Sequence, residues 1–319
     1  MKPRAFALLL TLALGLLAAP LPAEAEKPGK VYRIGLLLGW SAPPAASTRR
    51  SALVESFLQG LHELGYTVGR DVTVEYRYAG GRFDRLPELA ADLVRLNVDV
   101  FVTGGTPPTL AAKRATTTIP IVMVHVADPV GSGIVPSLAR PGANITGNSS
   151  RREGFAGKWL ELIREVAPDV SRVAVLWNPA NPLNVSFFKE IQVAAREVGV
   201  DLQSLEARHQ DDFKGAFEAL AAGHAGALVV FPGLIVGRHG RLILNLVAQS
   251  PVPAIYPYRV FVDRGGLMFY GPSVQDSGRR AATYVDKIFE GAKPGDLPVE
   301  RPREFEFVIN MKAARALGL

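Results

Sequence analysis

The sequence predicts an α/β protein of two doubly wound parallel-sheet lobes, joined by segments that cross between them, with a ligand cleft outside the strand ends. Three observations carry this. Short β-branched or apolar runs alternate with helical periodicities along the chain, the signature of parallel sheets with interleaved helices. A Gly/Pro/Asn-rich segment, Asp128 to Asn148, interrupts that rhythm in mid-chain. The stretch beyond it resembles a diverged copy of the first half. Glu63-Leu64-Gly65, the run Val72 to Tyr78, Phe83…Leu89 and Val98 to Gly105 find parallels in Glu197-Val198-Gly199, Asp201 to Glu206, Phe213…Leu220 and Gly226 to Gly233. The other reading of this weak repeat is that any two βαβ units share such a pattern.

Each element follows in order. Val31 to Leu38 is the first strand, and Leu53, Phe57, Leu61 and Leu64 then recur on one helix face, stopped by Gly65. Strands at Val72 to Tyr78, Val98 to Thr103 and Ile121 to Val124 are separated by helices near Phe83 to Arg95 and Thr106 to Arg114. After the interruption, Phe155, Trp159, Leu162 and Val166 share a helix face. Arg172 to Leu176 is a strand, and Phe187, Ile191, Ala194 and Val198 mark the next helix. Gly266 to Tyr270, a helix bearing Ala281, Tyr284, Val285 and Ile288, a Gly/Pro linker and a last strand Glu304 to Ile309 complete the chain. The boundaries read from this rhythm are residues 30–127 plus 259–298 for lobe 1 and 128–258 plus 299–319 for lobe 2.

Composition narrows the function. The 319 residues are 48% apolar and 21% charged, which fits a soluble globular protein. Cysteine is absent, which closes disulfides, thiolate metal sites, Cys nucleophiles and an N-terminal lipid-bearing Cys. Lys2 and Arg4, the uncharged run Ala5 to Ala19 and the small-x-small pattern Ala23-Glu24-Ala25 read as a secretory signal peptide over residues 1–25. That run is shorter than the ~18 residues that span a bilayer. The Arg residues are scattered, with no run longer than pairs such as Arg49-Arg50 and Arg151-Arg152, so no phosphate-tracking stripe points to nucleic acid.

Catalytic motifs are thin. The chain has no G-x-S-x-G elbow, no H-E-x-x-H, no Walker loop and no G-x-G-x-x-G opening a helix, so no cofactor is expected. His62, His125, His209, His224 and His239 lack ligand spacing, although His125 ends an apolar strand where it could face a cleft. The informative residues lie just past the strand ends, where open parallel sheets bind ligands. Trp40 and Ser41 place an aromatic plane beside a hydroxyl after the first strand. Gly105 and Thr106 open a helix whose free N–H groups, hydroxyl and dipole suit an anion, or else form an ordinary cap before Pro107. Asp128 either accepts from a ligand amine or hydroxyl or starts the turn with Pro129. In the second half, Asn178 and Asn181 follow a strand, with Asn181 also suited to cap the next helix. Phe231 and Tyr258 end later strands and suggest a flat or apolar ligand body, and Arg259 offers an anion anchor or an interlobe salt bridge.

With these residues in view, the sequence resembles the ABC-transporter substrate-binding proteins that include the tryptophan/tyrosine-type binding proteins, of type I periplasmic-binding-protein fold. The resemblance runs from about Tyr32 to the C-terminus. It rests on Arg33-Ile34-Gly35-Leu36-Leu37, Gly105-Thr106-Pro107, Asp128-Pro129-Val130-Gly131-Ser132-Gly133, Leu138-Ala139-Arg140-Pro141-Gly142 with Asn144-Ile145-Thr146-Gly147, Gly265-Gly266-Leu267-Met268 with Tyr270-Gly271, Lys293-Pro294-Gly295-Asp296-Leu297-Pro298, and the closing Ala316-Leu317-Gly318-Leu319. It implies two lobes joined by several crossover strands, a small molecule held between them, and no catalysis. It further implies a monomeric periplasmic protein that delivers its ligand to an inner-membrane ABC permease, or a sensory relative that reports to a chemoreceptor or histidine kinase. Relatives often carry an Asp where this chain has Gly233 and another where it has Ser273. If the first holds an α-amino group, its absence weakens an amino-acid ligand here.

Overall fold

The computed structural model describes residues 30–42, 51–151, 153–250 and 252–319. The signal-peptide reading of residues 1–25 lies outside the described residues. No helix among these residues is long and apolar enough to cross a membrane.

The first half folds as β1 (Tyr32–Leu38), α1 (Ala52–Glu63), β2 (Val72–Tyr78), α2 (Leu86–Arg95), β3 (Val100–Gly104), α3 (Thr106–Ala115), β4 (Ile121–Val126) and β5 (Ile145–Ser149). Its five strands form one parallel sheet in the order β2-β1-β3-β4-β5. The second half contributes α4 (Phe155–Val166), β6 (Arg172–Trp177), α5 (Pro182–Val198), β7 (Asp201–Glu206), α6 (Asp212–Ala222), β8 (Ala227–Val230), α7 (Leu234–Arg238), α8 (Gly240–Ala248), β9 (Ala254–Tyr256), α9 (Arg259–Asp263) and β10 (Met268–Pro272). After α10 (Val274–Phe289), β11 (Phe305–Ile309) pairs antiparallel with β10, and α11 (Met311–Ala316) ends the chain. The second sheet runs β11-β10-β9-β8-β6-β7. Read from β2 and from β7, both sheets share one order, so the repeat visible in the sequence has a counterpart in topology.

Alternation along the strands explains the layers, because successive side chains point to opposite faces. In sheet 1, Ile34, Leu36, Leu38, Val100 and Val102 pack beneath Leu53, Phe57 and Leu61 of α1 and Ala281 and Val285 of α10. Leu37, Phe101, Ile121 and Met123 face α2 and α3 on the other side. In sheet 2, Val173, Val175 and Val229 meet Trp159 of α4 and Phe187 and Ile191 of α5, while Ala174, Leu176 and Leu228 meet Phe213 and Phe217 of α6 and Ile243 of α8. Helix α10 approaches α1 closely because Gly278 carries no side chain. A Cβ there would sit 2.7 Å from the Leu53 carbonyl and collide with the Ser56 hydroxyl.

The lobe boundaries differ from the expectation. The segment after residue 128 does not open lobe 2, because Ile145 to Ser149 pairs with β4 and extends sheet 1. This strand is hidden in the sequence because it reads Ile-Thr-Gly-Asn-Ser, and its polar groups are satisfied within the fold: Thr146 donates to the Leu297 carbonyl at 2.7 Å and Asn148 to the Ser277 carbonyl at 2.9 Å. Residues 259–272 likewise join sheet 2 through β10 rather than lobe 1. Only α10 and the turn after it return to lobe 1, where Val299 is buried. Lobe 1 is therefore β1 to β5 plus residues 274–300, and the described chain crosses between sheets after Ser149, Pro272 and Glu300. Those crossings are tied together. Ser149 N–H donates to the Glu300 carbonyl at 2.9 Å and Ser273 N–H to the Glu304 carbonyl at 2.9 Å. Arg280, whose side chain is 12% exposed, holds both Asp276 and Glu300.

Candidate functional site

The strand order 2-1-3-4-5 puts a switch point between the first and third strands of each lobe. In lobe 1 the chain leaves β1 for α1 on one face and β3 for α3 on the other, so the loops part and leave a crevice. In lobe 2 β6 feeds α5 and β8 feeds α7, again on opposite faces. Two contacts bring the carboxyl-end loops of the sheets together. Arg238 at the end of α7 donates to the Gly81 carbonyl past β2 at 2.8 Å. Arg151, on the first crossing, lies 3.5 Å from Asp128 of lobe 1 and donates to Ser186 and Glu190 of α5 at 2.6 and 2.7 Å.

Trp40 sits at the lobe-1 switch point. Its ring covers Gly104 at the end of β3, so closely that a Cβ on that glycine would lie 2.8 Å from Cζ3. Its indole Nε1 is buried and meets no acceptor among the described residues. Ser41 beside it is exposed. Gly105 takes φ 86°, which a side chain would strain, and caps α3 with its backbone alone, donating to the Val124 carbonyl at 2.9 Å. The free N–H groups expected there are fewer than the sequence suggested. Pro107 and Pro108 have none and Thr109 N–H returns to the Gly105 carbonyl, which leaves the amide and hydroxyl of Thr106.

Asp128 serves the turn: one carboxylate oxygen accepts from Gly131 N–H at 2.8 Å, and the other faces Arg151. On the lobe-2 rim, Asn178 accepts from Ala180 N–H at 2.9 Å and Asn181 caps α5 by accepting from Leu183 N–H at 3.0 Å. Asn181 turns its amide nitrogen toward Gly233. Phe231 is a correction: its ring is fully buried between Trp159 and Phe187 in the lobe-2 core, so only its loop lies at the rim. Tyr258 accepts the Gly233 N–H on its hydroxyl at 3.1 Å, and burial pushes its phenol up to about 12. Arg259 pairs with Glu306 inside lobe 2, so it is not an interlobe bridge. Sequence reasoning missed Arg151 and Asn184. The first appeared only as half of a basic pair, and the second was not singled out at all.

Two open hollows, about 520 and 360 Å³, lie elsewhere, along the outer edge of β7 by Glu206, Arg208 and Asp211 and by Arg172 and Gln203. They touch none of the candidate site residues.

The model of the family described as ABC transporter substrate binding protein matches residues 47–319. The chain belongs to this family. A tyrosine-binding protein of Clostridioides difficile is 24% identical to this substrate-binding protein over 265 residues, covering 83% of this chain and 76% of the relative. A conserved domain protein of Vibrio cholerae superposes with a TM-score of 0.79 at 29% identity, over 91% of this chain and 95% of that one. An ABC domain of Streptococcus pneumonia solved in complex with L-Trp also gives 0.79, at 23% identity and the same coverage. The architecture is that of type I periplasmic binding proteins, shared with a leucine-binding protein of Thermotoga maritima at a TM-score of 0.59, 15% identity, 90% of this chain and 87% of the other.

Proposed function

We propose that this protein captures a small organic ligand, aromatic or carboxylate-bearing and of the amino-acid size class, between its lobes in the periplasm and delivers it to an inner-membrane ABC permease. The observation that carries the reading is the buried Trp40 Nε1 at the lobe-1 switch point, which meets no acceptor among the described residues, with its ring over Gly104 two positions before Thr106. An unmet buried donor costs about 1–3 kcal/mol, a cost that a ligand acceptor removes. Across the cleft, the amide nitrogens of Asn178 and Asn181 are the groups their own loop leaves uncommitted. The relatives that bind tyrosine and L-Trp support this size class.

The mechanism is hinge closure. A ligand that touches both rims binds the closed arrangement better and shifts the population toward it, with the three crossings as hinge. The test is native mass spectrometry of the chain from Glu26 onward, purified without refolding, followed by a thermal-shift screen with L-tryptophan, L-tyrosine and aromatic acids. A co-purified or stabilising aromatic or carboxylic metabolite is the expected result. A clean mass with no stabilisation across the screen would overturn the ligand class.

A further inference from the structure

The amide of Asn184 lies at the lobe-2 switch point, where the loops after β6 and β8 leave for opposite faces of the sheet. Asn184 sits in the first turn of α5, and only 1% of it is exposed. Burying a carboxamide is unfavourable unless both of its ends are satisfied. Here each end serves a different loop. Its Oδ1 accepts from Asn178 N–H at 2.9 Å and its Nδ2 donates to the Pro232 carbonyl at 2.8 Å. The tie continues, because Gly233 N–H donates to the Tyr258 hydroxyl in the loop after β9. Three loops that parallel topology would let diverge are thus joined through two side chains.

We propose that Asn184 is a positioning residue that fixes the loops after β6 and β8 as one rigid rim, pre-organising the lobe-2 half of the ligand site without contacting the ligand. The ligand part of this rests on the function proposed above; the rigidity part does not. An apolar residue of similar size would fill the space but release both loops. An Asp would keep the acceptor for Asn178 and place a carboxylate oxygen against the Pro232 carbonyl. Burial raises the pKa of such a carboxyl. Once protonated, it regains the donor and mimics the amide.

The test uses the whole mature chain with Asn184→Leu and Asn184→Asp, read in two ways. Amide hydrogen exchange of the ligand-free protein is followed in residues 178–181 and 233–237. Affinity for L-tryptophan and L-tyrosine is measured at pH 8.5 and 6.5, below the melting temperature of each variant. Asn184→Leu is expected to exchange about tenfold faster in both loops, as the loss of one net hydrogen bond from each implies, and to bind about tenfold more weakly. Asn184→Asp is expected to show the same defects at pH 8.5 and to recover several-fold at pH 6.5, while the wild type stays level. A merely structural residue would lower the melting temperature without this local, proton-dependent pattern. Unchanged exchange in both loops of a folded variant overturns the proposal, as does weaker binding by Asn184→Asp with no recovery on protonation. If Asn184→Leu does not fold, Asn184→Asp at the two pH values decides. If the wild type binds neither amino acid, the assigned ligand class fails, and the exchange measurement still decides the role of Asn184.

Discussion

His125 makes the stability of this protein depend on pH in a calculable way. It sits at φ 58° where β4 and β5 fall out of register, donates its N–H to Asn148 Oδ1 at 3.0 Å, and sets its ring Nδ1 3.5 Å from the Ser277 hydroxyl. Burial pushes the imidazole from its usual 6.5 down to about 4. The fold thus favours the neutral ring, whereas the unfolded chain takes up a proton below pH 6.5. The stabilisation is complete above that value, falls as the pH drops toward 4, and is gone below it. Two and a half pKa units set a ceiling of about 3 kcal/mol, of which about 2 kcal/mol is lost by pH 5. The ring is partly exposed, so screening keeps the effect below the ceiling. For a chain of this size that is a fall in melting temperature of roughly 5 °C. Asn tolerates a positive φ, so His125→Asn removes the titration with little backbone strain. Urea unfolding of both proteins at pH 7.5 and 5 measures the effect: the wild type should lose more than the variant, by at most about 2 kcal/mol. Equal losses would refute the reasoning.

Further outcomes follow from other parts of the fold. Trp40→Ala and Thr106→Ala should each weaken binding of the stabilising ligand by about tenfold in calorimetry, with Thr106→Ala leaving the melting temperature almost unchanged. Unaltered affinity in both would move the cleft away from the lobe-1 switch point. Arg280→Met removes the cation that Asp276 and Glu300 share, leaving Glu300 to Arg303 alone, and should cost about 1–3 kcal/mol in urea unfolding. Gly278→Val drives a side chain into α1 and should sharply reduce soluble yield, since the obstacle includes the Leu53 carbonyl and not only movable side chains.

The strands and helices were legible wherever one residue pattern served one face. Ile34, Leu36 and Leu38 alternate with Leu37, and Phe57 and Leu61 mark a helix stripe, so both were visible without coordinates. β5 was not, because its polar residues are satisfied by residues more than a hundred positions away, which local sequence cannot report. The expected boundaries already set α10 in lobe 1, but they put β5 in lobe 2 and β10 in lobe 1, because local sequence does not report which sheet a strand joins. Rim positions were found from the rule of strand ends, yet what each side chain does there was not. Phe231 continues the alternation of Ala227 and Val229 into the lobe-2 core, whereas the Trp40 ring lies over Gly104. Asn184 was missed because an Asn near a helix start ordinarily reads as a cap, and the cap here is Asn181.

The same geometry sets the terms on which the proposed closure would work. Besides the Arg151 cluster beside the crossings, the rims meet at the Arg238 donation to the Gly81 carbonyl, one exposed hydrogen bond worth about 0.5–1.5 kcal/mol net. Moving a two-state equilibrium from one part in a hundred to ninety-nine needs about 5.5 kcal/mol. The Arg238 contact therefore cannot hold the cleft shut alone, and most of the difference must come from groups that reach both rims. Trp40 and Thr106 stand on one side, and the loops held by Asn184 on the other. A rim that is already rigid loses little entropy on closing, so contact energy gained there goes into shifting the population and not into ordering loops. On this account, loosening the lobe-2 rim should reduce ligand-driven closure more than it reduces the resting contact between the lobes.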